Sequence, residues 1–94
     1  MDAREERSRR IMDAIREVLL HKWDPIGVAD VPGARDEYDG YVGGVYRLIA
    51  SCASPAQIAE HLATIEREKM GFEKTTAETL LSVATELAKV DVAL

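Results

Sequence analysis

Ninety-four residues, 47% of them hydrophobic and 31% charged, describe one small globular domain and exclude the low-hydrophobicity regime of disordered chains. The single cysteine rules out an internal disulfide. No apolar run approaches the roughly 20 residues of a membrane-spanning helix, and the N-terminus lacks a secretory pattern, so a reducing cytoplasm is the expected location. The net charge of −5 is uneven: residues 1–22 carry +1, while residues 23–51 and 52–94 each carry −3, which disfavours nucleic acid and favours a basic protein as partner.

From Ala3 to Lys22, apolar residues at Ile11, Met12, Ile15, Val18 and Leu19 follow steps of three and four and predict an amphipathic helix. Residues 1–10 alternate charge without an apolar stripe and are expected to be an exposed, frayed start. Asp24-Pro25 ends the helix, because the proline ring disfavours helical geometry at Asp24 and removes a backbone donor. Gly27, Pro32 and Gly33 extend the break, while Ile26, Val28 and Val31 predict that this loop packs on the body. A second helix is predicted from Ala34 to about Ser51 on Tyr38, Tyr41, Val42, Val45, Leu48 and Ile49. Gly40, Gly43 and Gly44 each weaken it by about 0.8–1 kcal/mol relative to alanine. Either another helix approaches the glycine face, or the helix breaks near Gly43.

Ser54, Pro55 and Gln57 form a capping-box start for a third helix, with a stripe of Ile58, Leu62, Ile65 and Lys69 flanked by Ala59 and Met70, and Gly71 as its left-handed stop. Phe72 is placed to fold back on the last turn. Thr75 and Glu78 form a second capping box before a fourth helix through Leu80, Leu81, Ala84, Leu87 and Val90. No alternating run of strand length is present. The chain therefore reads as an all-α domain spanning 1–94, a bundle of about four helices with a structured loop after the first.

Recognised reaction chemistry is sparse. His21 and His61 lie on different predicted helices without zinc spacing, and one cysteine cannot complete such a site, so no metal and no cofactor is expected. Cys52 could serve as a nucleophile, but after an apolar run it reads as a small buried residue. The Gly40-x-x-Gly43-Gly44 run lacks the lysine ending of a phosphate loop. Placing Gly40 at the turn of a calcium loop would make Arg35 and Tyr46 the first and last ligands, which is chemically wrong. No catalytic residue is assigned, and an enzyme is not expected.

What stands out is the middle third, which holds Trp23, all three tyrosines and five carboxylates. Trp23, Pro25, Ile26 and Gly27 are expected to form a structural loop, with Trp23 as a core or lid residue, or else partly open beside Asp24. Asp24, Asp36, Glu37, Tyr38, Asp39 and Tyr41 are the candidate partner-binding residues: aromatics supply buried contact area and carboxylates steer a basic partner. The plainer reading is that Asp36 and Glu37 favour a helix start through its dipole and the rest is a solvated face.

The element Trp23-Asp24-Pro25-Ile26-Gly27-Val28, followed by Asp36-Glu37-Tyr38-Asp39 with Tyr41, then Ile58-Ala59-Glu60-His61-Leu62 and Ile65-Glu66-Arg67-Glu68 with Met70-Gly71, resembles the YugE-like family of small bacterial helical proteins. The likeness spans roughly residues 11–72 and implies a compact helical fold in a bacterial cytoplasm, with no assigned activity. Two classes of function follow. One is a protein-binding module, such as an immunity-type inhibitor of a basic toxin or nuclease. The alternative is a homodimeric structural or regulatory protein, self-associating through the glycine face of the second helix or the apolar side of the fourth.

Overall fold

In the computed structural model, which describes residues 3–34 and 36–93, the first helix α1 runs over Ala3–Val18 and continues into a π-helical turn, Leu19–Trp23. Ile11, Ile15, Leu19 and Trp23 are all buried at steps of four. On a 3.6-residue helix such steps drift around the axis, and the wider π turn winds that drift back, keeping Leu19, Leu20 and Trp23 inward together. The helix starts at Ala3, where the sequence places it, and residues 3–10 are exposed apart from the half-buried Ser8; Met1 and Asp2 lie outside the described residues.

Asp24 closes the π turn in a left-handed conformation (φ 33°), its amide donating to the Leu19 carbonyl at 2.9 Å. Aspartate tolerates this region better than most residues. The chain then winds through successive turns to Tyr38, and α2 spans Asp39–Ala50. It starts about five residues later than the periodicity predicts, because Tyr38 is held in a non-helical conformation by the loop it anchors. It continues through Gly43 and Gly44 without a break. The close approach is confined to Gly44, where an added methyl group would lie 3.2 Å from the His61 ring, whereas Gly40 and Gly43 face open space.

The turn after α2 differs from expectation at Cys52, which is exposed with φ 62°. Its amide bonds to the Ile49 carbonyl and that of Ala53 to the Leu48 carbonyl, the reciprocal pattern that normally places glycine at this left-handed position. α3 (Pro55–Lys69) opens on the predicted capping box, with Ser54 Oγ accepting from the Gln57 amide at 3.2 Å and Gln57 Oε1 accepting from the Ser54 amide at 2.8 Å. Its inward face is Ile58, Ala59, Leu62, Ala63, Ile65 and Glu66, and Lys69 is exposed rather than in the stripe. Gly71 is left-handed (φ 76°) as predicted, but Phe72 remains 39% exposed.

A 3₁₀ turn, Ala77–Leu80, precedes α4 at Leu81–Ala88. The second predicted capping box does not form: Thr75 turns its hydroxyl to Glu66, and neither this turn nor α4 has a side-chain cap. Leu80, Ala84 and Leu87 point inward, which leaves Leu81, one step from Leu80, 41% exposed. Among the described residues the result is an all-α bundle of four α-helices, with α3 against α4, α1 against α2 and α4, and α2 against α3. Its extents of 44 × 33 × 19 Å make a flat body.

Candidate functional site

The candidate residues divide into an inner set and an outer set. Tyr38 belongs to the inner one: it is 1% exposed, and its hydroxyl donates to Asp24 Oδ1 at 2.8 Å while accepting from the Ile26 amide at 3.3 Å. Asp24 also accepts from the Val28 amide at 2.7 Å and the Ala29 amide at 3.1 Å. This carboxylate organises the loop as a local hub. Burial pushes its carboxyl up, but the bonds from Tyr38, Val28 and Ala29 outweigh it and hold the pKa below the ordinary value. The Tyr38 hydroxyl is pushed up to about 12 by its burial and by the bond to Asp24. Tyr38 therefore cannot present the surface anchor expected of it, because its ring and hydroxyl are both consumed by the fold.

Trp23 lies beside them, 6% exposed, its ring centroid 5.3 Å from Tyr38 and 5.9 Å from Tyr41 in tilted and edge-on arrangements favourable for aromatic pairs. Its indole N–H donates to Glu66 Oε2 at 2.7 Å, and the other Glu66 oxygen accepts from the Thr75 hydroxyl at 3.0 Å. Trp23 is thus a core residue, and Tyr41 is half-buried against it. Gly27 takes the left-handed turn position (φ 68°), Pro25 is half-buried, and Ile26 is 42% exposed. Of the loop's apolar residues, Val28 packs on the core and Val31 stays 47% exposed. Glu66 was not singled out by sequence reasoning. Its signal is the row Ile58, Leu62, Glu66, which places a carboxylate on the buried face, where it needs donors.

The outer set is acidic. Asp36 and Glu37 are exposed, and Asp39 is half-exposed at the start of α2. Folding brings Asp13 and Glu17 of α1 to the same side, and these two with Asp36, Asp39 and Arg16 surround a shallow depression of about 420 Å³. Arg16 Nε donates to Asp39 Oδ1 at 2.7 Å and Nη1 to Asp13 Oδ1 at 2.8 Å. The bond to Asp39 leads in raising the Arg16 pKa against burial. Asp39 thus ties α1 to α2 while contributing to the acidic face. Sequence reasoning did not assign Asp13 and Glu17 to this face, because only the packing of α1 on α2 puts them there.

Among the described residues no group of histidine, cysteine and carboxylate side chains is arranged to hold a metal ion, and no helix is long and apolar enough to cross a membrane. Compared with known families, with characterised proteins and with solved structures, the chain matches none.

Proposed function

We propose that this chain is a non-catalytic protein-binding module whose acidic face occludes a basic partner, in the manner of an immunity-type inhibitor of a basic toxin or nuclease. The supporting observation is the gathering of Asp13, Glu17, Asp36 and Asp39 around Arg16, with Glu37 exposed next to Asp36. Among the described residues these four carboxylates surround the Arg16 guanidinium, with Glu17 also paired to His21 at 3.1 Å, and the remaining negative potential would attract a cationic surface and speed encounter. The inner set supports this reading indirectly, because the Asp24–Tyr38 bond and the Trp23–Glu66 bond hold the segment carrying Asp36, Glu37 and Asp39 on a rigid base.

Asp36→Lys with Glu37→Lys is the informative variant, since Asp39 is paired with Arg16 and its reversal would disturb the α1–α2 tie. Exposed reversals move stability by less than about 0.5 kcal/mol. A basic partner captured from the native host should associate with the double variant at least tenfold more slowly, because the two reversals change the face by four charge units, with a flatter salt dependence. A partner that associates equally fast with the variant and the parent chain sinks this reading. A structural or regulatory homodimer is the second reading, favoured by the open space over Gly40 and Gly43 on α2; light scattering of the purified chain decides it.

A further inference from the structure

Residues 90–93 cross the end of the bundle between two open clefts. One, of about 630 Å³, lies along the first turns of α1 and includes Arg7, Ile11 and Ala14. The other, of about 550 Å³, includes Ile49, Ala50 and Ala53 where α2 turns toward α3. Both are mostly apolar in lining, and both take Val90 and Asp91 as a shared wall. Volumes of this order match those of small-ligand sites.

The crossing segment follows α4 and is not helical. Val90 and Val92 are half-buried against the core while Asp91 and Ala93 are exposed, an alternation with the period of two expected of extended chain. Its polar attachments converge on Arg7. The guanidinium donates to the Ala93 carbonyl and pairs with the Asp91 carboxylate at 3.6 Å, and that carboxylate accepts from the Ala93 amide at 3.0 Å. The ion pair is exposed on both sides, so it holds the segment weakly. Two valines on apolar surface around one aspartate on an arginine is how a short peptide sits in a groove, here supplied by the chain itself.

We propose that the surface joining the two clefts is a binding groove for an extended peptide segment with two apolar residues flanking an acidic one, and that residues 90–93 occupy it as an intramolecular competitor. The occupant follows from the way residues 90–93 sit: apolar contact beside Ile11 and Ile49 and a carboxylate on Arg7, with Arg4, Arg10 and Glu6 also lining the first cleft and leaving it net positive. This surface is separate from the acidic face, which would repel such a peptide.

The test uses the full chain carrying Val92→Ser, which loosens the competitor and leaves the groove residues intact, with a fluorescent peptide of sequence Lys-Val-Asp-Val-Ala as probe. Fluorescence anisotropy should show the variant binding the probe at least tenfold more tightly than the parent chain. Adding Arg7→Ala, or replacing the peptide's aspartate by alanine, should reverse that gain. Equal binding by variant and parent, or binding by neither, overturns the proposal. If Val92→Ser destroys the helical circular dichroism spectrum, residues 90–93 are part of the fold rather than a removable occupant, and the proposal equally fails.

Discussion

Cys52 shows how a single backbone angle can outweigh side-chain character. An apolar run precedes it, so burial is the natural expectation, yet it occupies the left-handed position after α2 and faces solvent. Relief of left-handed strain is worth about 1–2 kcal/mol, while glycine adds roughly 0.4–1 kcal/mol of unfolded-state entropy. Cys52→Gly should therefore stabilise the protein by about 0.5–1 kcal/mol in urea titrations, and a loss of stability would contradict the assignment of this turn. Two titrating groups contribute to the pH response below neutrality. His61, lowered by burial against Gly44, takes up a proton less readily in the native state than in the unfolded chain. Stability should be complete above the unfolded pKa of about 6.5 and decline as pH falls below it. Asp24 is likewise held below its ordinary value, so its contribution is present above about pH 4 and disappears as pH falls through the lower native pKa. Melting temperatures across pH should show both declines, and His61→Gln should remove the upper one only.

Helix α2 carries three glycines that a reading by propensity treats alike, and the structure separates them. Gly43 is exposed with open space around it, so Gly43→Ala should stabilise the protein by about 0.8–1 kcal/mol, the ordinary helix-propensity gain. Gly44 meets His61 at 3.2 Å from an added methyl carbon, and Gly44→Ala should lose that gain or reverse it as α3 is forced outward. Comparing the two variants by chemical denaturation isolates the helix approach, because intrinsic propensity is the same in both. The remaining elements were legible to the degree that their signals are local. The Ser54–Gln57 box and Gly71 stand where the sequence places them, since each depends only on neighbouring backbone. Thr75 and Glu78 share the same motif but form no cap, because the Thr75 hydroxyl donates instead to Glu66 on α3, a pairing made only by the packing of the two segments.

The molecule as a whole is cross-linked by the chain Trp23–Glu66–Thr75, which joins the π turn after α1 to α3 and to the connection leading into α4. Trp23→Ala should cost about 3–5 kcal/mol, a large share of what a domain of this size possesses. Trp23→Phe separates the two contributions: the ring is largely retained, but Glu66 loses a donor while staying buried, a loss of about 1–3 kcal/mol. Thermal melts of the two variants measure the pair. A tryptophan-to-phenylalanine change without effect would show that the indole N–H bond contributes nothing to stability.

The sequence by itself determined the helical class, the three-and-four spacing of the buried faces, the helix stops at Asp24-Pro25 and Gly71, and an excess of acid beyond residue 22. These are set by near neighbours along the chain, through steric restriction, capping and side-chain periodicity. Only the tertiary structure decided which carboxylates build and which face solvent. Asp24 is absorbed into the loop by Tyr38 and Glu66 into the core by Trp23, whereas Asp36 stays outside and is joined by Asp13 and Glu17. The reason is that a carboxylate's fate depends on the donors that folding brings to it, and for Asp24 and Glu66 these side-chain donors lie 14 and 43 residues away along the chain.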